Sequence, residues 1–232
     1  MKKVMKRTFL IVLGCLLCGI MKAQQQQRLF EEFLREAGDH AEMFQGKIEY
    51  GYPPNIYLNL PYWTFDDFVQ GDVLYNGMLY RNVRIRYDAY LKQLVVNTPE
   101  KHSKICIPMS KVEKFVLEGI EFERRNGEFM AVLYNGHRME LVERLPVTMK
   151  EKLVENSKVQ YEFRQEPEYL LLRDGQVYEV DKLKSVLKLF PQLKKELKQF
   201  AKMHYLEFKE HRQSSLVSLI KYADELLDKS VN

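Results

Sequence analysis

Carboxylates, aromatics and lysines carry whatever chemistry this chain holds. No nucleophile elbow, phosphate-cradling glycine loop, dinucleotide fingerprint or HExxH helix occurs in it. Asp66-Asp67 and Asp88 stand beside aromatic residues, and paired carboxylates hydrolyse glycosides when held at the right separation. Neighbours on a strand face opposite sides, so Asp66 and Asp67 do not make that pair, and turns or caps are the ordinary use of such residues. Cys106, between two isoleucines, reads as a small buried hydrophobe; a reactive thiolate needs a basic, open setting. Among the histidines (40, 102, 137, 204 and 211), only His204 and His211 lie close in sequence, across an expected helix break. The spacing predicts no metal site and no cofactor.

Two clusters stand out. Tyr50–Phe68 packs seven aromatics around three prolines, which keeps it out of a central strand. Tyr57, Tyr62, Trp63 and Phe65 are its candidate ligand-binding residues, as a stacking platform for a sugar or peptide. The competing reading, which the use of large aromatics to seal small sheets favours, is a buried arm stitching the N-terminal helix to a sheet. The second cluster is a lysine ridge ending in Lys194, Lys195, Lys198 and Lys202, with Glu196 its one neighbouring acid. A solvated helix face is the plain account; contact with an anionic surface is the sharper one.

The elements that position these groups follow from periodicity. Leu29, Phe30, Phe33, Leu34, Ala37, Ala41 and Phe44 recur near 3.6 and predict an amphipathic helix over 24–45, with Asp39 as an N-cap after a break at Gly38. Period two takes over from 46 to 180. Asn76-Gly77, Asn126-Gly127, Asn135-Gly136 and Asp174-Gly175 mark type I′ hairpins there, because both central residues of that turn need positive φ. From Asp181 the helical period returns over 181–232, with one helix stopping before Pro191 and the last capped by Ser214 or Ser215. The expectation is an α+β protein: an antiparallel β-meander sheet with an N-terminal helix and a C-terminal bundle of three short helices.

Residues 1–23 read as a secretory leader: Lys2, Lys3, Lys6 and Arg7, an apolar run over 9–20, and Ala23 as the small residue before cleavage. The flanks favour cleavage after Ala23 over lipidation of Cys15. Losing five cations turns the formal +4 of the whole chain into −1, with 31 bases against 32 acids. Nucleic-acid binding, which needs a basic surplus, is excluded as an expectation. The remaining charge is uneven: 24–180 holds 20 bases and 25 acids, 181–232 holds 11 and 7. Internal pairing of the two parts is the expected reason.

The stretches Phe68–Val73, Asn82–Tyr90 and Leu94–Val96, with Leu189-Phe190-Pro191 through Lys194–Leu197 to Phe208-Lys209, resemble a group of uncharacterised exported proteins of Bacteroidetes. That resemblance implies a Gram-negative envelope setting, periplasmic or associated with the outer membrane, and no chemistry. Export without a catalytic signature predicts a non-enzymatic binding or assembly role, with an envelope protein or glycan as partner and membrane contact without spanning. The alternative is a hydrolase acting on glycan or peptide near the aromatic segment.

Overall fold

The computed structural model describes residues 25, 28–63, 66–154 and 158–229; the expected leader and the candidate Phe65 lie outside them. One antiparallel sheet contains β1 (Lys47–Ile48), β2 (Val69–Tyr75), β3 (Met78–Asp88), β4 (Gln93–Asn97), β5 (Lys104–Cys106), β6 (Val112–Leu117), β7 (Ile120–Arg125), β8 (Glu128–Asn135), β9 (Met139–Arg144), β12 (Glu168–Arg173) and β13 (Gln176–Glu179). Its order is β1-β5-β4-β3-β2-β6-β7-β8-β9-β12-β13. Two meanders therefore grow from opposite sides of β2. Between β9 and β12 the chain leaves the sheet to form a separate hairpin, β10 (Val147–Val154) and β11 (Lys158–Gln165). The neck of this hairpin is closed by the Glu166 N–H donating to Pro146 O at 3.1 Å and by the Arg144–Glu168 ion pair.

Three of the four expected turns form as the dipeptides require. Asn76-Gly77, Asn126-Gly127 and Asp174-Gly175 all take positive φ at both positions. Asn135-Gly136 does not. Glu118-Gly119 does, at 51° and 79°, and links β6 to β7 without the usual asparagine.

Cross-strand pairing lines up Tyr80, Val73, Phe115, Phe122, Ala131, Glu143 and Tyr169 on one face of seven strands. All seven are buried, and Glu143 is the one charge among them. Aromatic stacking follows the row, with Phe115 and Phe122 parallel at 4.5 Å. Leu133 joins the two cores that share this face.

Helix α1 (28–37) covers one end of the face, with the Phe30 ring set edge-on to Tyr80 at 5.3 Å. Two 3₁₀ turns follow it, Gly38–His40 and Glu42–Phe44. Leu29 and Phe33, counted inward from the periodicity, are exposed. Asp39 caps no helix of its own; it accepts the Glu100 and Lys101 N–H groups at 2.9 and 3.0 Å and ties the end of α1 to the 98–103 loop.

Three helices cover the other end: α2 (Leu183–Leu189), α3 (Lys194–Met203) and α4 (Arg212–Lys229). The α4 helix, at 18 residues, is longer than expected and starts before Ser214. Ser215 is buried inside it rather than capping it. Leu216, Leu219, Ile220 and Ala223 press on Met139, Leu141 and Leu171 of the sheet.

Candidate functional site

The aromatic segment divides across the two faces of the sheet. Adjacent strand residues point oppositely, and the segment meets both sides: Trp63 stands edge-on to Phe122 at 4.8 Å, and the Arg86 guanidinium lies 4.0 Å over the Tyr62 ring. Both Tyr62 and Trp63 are buried. Tyr57 is half-buried, stacked on Phe163 of β11 at 5.5 Å. The backbone of 56–58 is stitched to β11, with the Leu58 N–H donating to Tyr161 O at 2.8 Å and the Tyr161 N–H to Ile56 O at 2.9 Å. Three of the four candidates therefore belong to an arm packed on the sheet; it is stitched to β3 and to the β10–β11 hairpin rather than to the N-terminal helix, and its first aromatic, Tyr50, is exposed.

Beneath the arm lies a polar cluster. Glu49 forms an ion pair with Arg86, both nearly enclosed, and accepts the Tyr62 hydroxyl at 3.1 Å. Arg86 also donates to Asp66 O at 3.0 Å. Asp88 accepts the Tyr52 hydroxyl at 2.6 Å and the Leu91 N–H at 2.8 Å, capping the turn into β4. Burial raises the Asp88 carboxyl above the ordinary carboxylate range, against the lowering effect of those two donors. Burial, helped by Asp88, likewise pushes the Tyr52 hydroxyl up. Apart from Arg86 Nε, which is buried without a hydrogen-bond partner, these groups are held by one another and by the arm, so the cluster acts as a clasp between the arm and β3.

Glu143 is another buried carboxylate. Trp63 Nε1 donates to it at 3.3 Å and Gln213 Nε2 at 3.1 Å, so it bridges the arm and the start of α4. Burial raises its carboxyl, opposed by these hydrogen bonds. The cavity beside it and Trp63 measures about 20 Å³, room for a water and not for a sugar ring.

No family model, curated protein or solved structure matches this chain.

The lysine ridge is built differently. Leu197 is fully buried, Leu193 and Phe200 are half-buried, and the Phe200 ring stacks on Tyr222 of α4 at 4.1 Å. Packing thus consumes the apolar side of α3. Lys194, Lys195, Lys198 and Lys202 are all exposed, and none forms an ion pair among the described residues. Internal pairing does not absorb the charge asymmetry, contrary to the expectation from the sequence. Past Lys202 the helix closes in a Schellman turn: the Leu206 N–H reaches Ala201 O at 3.0 Å and Tyr205 takes φ 51°. Glycine is the usual residue there, yet Tyr205 holds it, 85% exposed, beside Met203 at 58%.

The remaining chemical residues are ordinary. Cys106 is half-buried in β5, and burial near Glu49 and Asp88 pushes its thiol up, away from reactivity. Glu207, Glu210 and His211 bring one ligand atom each within 4.8 Å of one another. All three are exposed and interleaved with Lys209 and Arg212, a solvated charge cluster. What the sequence reading missed is a cleft of about 630 Å³ between α1 and β3.

Proposed function

We propose that this is an exported cell-envelope protein with a non-enzymatic binding role, in which the lysine row of α3 meets an anionic membrane surface. The observation that carries it is the row itself: four exposed lysines without acidic partners among the described residues, on a helix whose apolar side is already packed. Tyr205 and Met203 extend the row with amphipathic and apolar groups of the kind that settle at headgroup level. Among the described residues no helix is long and apolar enough to cross a membrane. The leader-like residues 1–23 and the likeness to exported Bacteroidetes proteins support periplasmic or outer-membrane-associated placement. Binding is favoured over hydrolysis at the aromatic segment because Glu49, Asp88 and Glu143 are each held by neighbours that the fold itself supplies.

Fractionation of the native host with mass spectrometry of the N-terminus tests the placement. The expected result is an envelope-associated chain beginning at Gln24; a full-length cytoplasmic chain, or one acylated at Cys15, contradicts it.

A further inference from the structure

We propose that the cleft between α1 and β3 binds an acidic sugar, a hexuronate whose carboxylate rests on Arg35 and Arg81 and whose ring lies against Phe44 and Pro99. The cleft exists because β4 ends at Asn97, opposite Arg84, while β3 runs on to Met78, leaving a step in the sheet that α1 stands across. Its volume, about 630 Å³, lies inside the range of small-molecule sites.

A β-bulge assembles its charge. Val73 pairs with Tyr80 and Gly71 with Val83, so Arg81 and Asn82 share the place opposite Asp72. Asn82 takes φ 53°, and its N–H donates to Asp72 Oδ1 at 3.0 Å. In an unbroken strand Arg81 and Arg84, three positions apart, point to opposite faces; the extra residue brings them to the same one. Both line the cleft with Arg35 of α1 and His102 of the facing loop. Arg84 donates to Phe68 O at 3.3 Å, whereas Arg35 and Arg81 have no ion pair among the described residues. Glu31, the one acid in the lining, has a partner of its own. The Asp39 hydrogen bonds to Glu100 and Lys101 hold α1 against the loop that carries His102 and so fix the cleft's width.

Two features select a sugar acid over a bare oxyanion. Leu34, Phe44, Val83 and Pro99 give the cleft an apolar lining that phosphate or sulfate leaves unused, while the guanidinium groups take the carboxylate. Asn97 lines the cleft with its Oδ1 buried and unpaired. A ring hydroxyl satisfies this acceptor once the amide turns toward it, which an anion without O–H groups does not do.

The test is titration of the full chain with glucuronate, glucose and inorganic sulfate, followed by calorimetry or NMR. Glucuronate is expected to saturate, with glucose and sulfate at least about tenfold weaker. Replacing Arg35 and Arg81 together by glutamine should weaken glucuronate by about tenfold or more, as for a lost charge-assisted pair. Both side chains are exposed, and circular dichroism checks that the variant folds. Lys198→Gln with Lys202→Gln on α3 should leave the affinity unchanged, which separates this cleft from the membrane-facing row. Glucose or sulfate binding as tightly as glucuronate, an unaffected arginine variant, or the lack of saturable glucuronate binding would each overturn the proposal.

Discussion

Gly136 shows how a residue's type is legible while its reason is not. The Asn135-Gly136 dipeptide reads as a hairpin turn, yet neither residue takes positive φ. A Cβ at 136 would overlap Asp224 of α4 and the Tyr134 hydroxyl. Glycine is there because α4 comes close: Asp224 Oδ2 accepts the Tyr134 hydroxyl at 2.9 Å and the His137 N–H at 3.0 Å. Gly136→Ala should therefore cost about 2 kcal/mol and lose the Asp224 contacts, the result of an overpacked site, whereas Gly127→Ala, with open space around it but φ 84°, should cost about 1 kcal/mol of backbone strain and leave α4 in place. Chemical denaturation of the two variants distinguishes them. Glu143 has a pH signature. Its folded carboxyl is raised by burial above the 4.5 of an exposed glutamate, so its favourable contribution is present below about pH 4.5 and lost as pH rises through the raised value. Glu143→Gln keeps an acceptor for Trp63 and removes the buried charge. It should be at least as stable as the parent at pH 7, with a flatter stability curve between pH 4.5 and 7; the raised Asp88 keeps part of the slope. A marked loss of stability at pH 7 would mean that the charged form is what the fold needs.

At the scale of elements, the strands of the main sheet were readable because three of the four Asn/Asp-Gly dipeptides do what steric allowance dictates. The order of those strands was not, since nothing local says that β6 returns to pair with β2 instead of extending from β5. The β10–β11 hairpin escaped notice for a related reason. Val147–Val154 places charge on both faces, as at Glu151 and Lys152, so its alternation is blurred. Its stability comes from Phe163, 2% exposed and surrounded by Tyr52, Tyr57 and Tyr90. Phe163→Ala should cost about 3–4 kcal/mol, as for a large-to-small change in a core. In hydrogen exchange, protection should fall first across 147–165 and 50–63 while β2–β4 keep theirs. Uniform loss over the sheet would show that the hairpin and the main sheet open as one unit.

Across the whole molecule, the charge asymmetry visible in the sequence survives folding. The arm over 50–63 could be recognised from its prolines and rings, and its burial was the favoured reading. The cleft beside α1 could not, because it depends on where β4 stops and on one bulge. What the fold leaves outward is the α3 lysine row, and attraction to an anionic leaflet contributes about 1 kcal/mol per lysine near the surface, fading beyond a Debye length of roughly 8 Å at physiological salt. Co-sedimentation of the full chain with vesicles containing anionic phospholipid, compared with Lys194, Lys195, Lys198 and Lys202 all replaced by glutamine, measures this directly. The parent should bind at low salt and be released as salt rises, while the folded variant stays in solution; equal binding of the two, or parent binding indifferent to salt, would contradict the account.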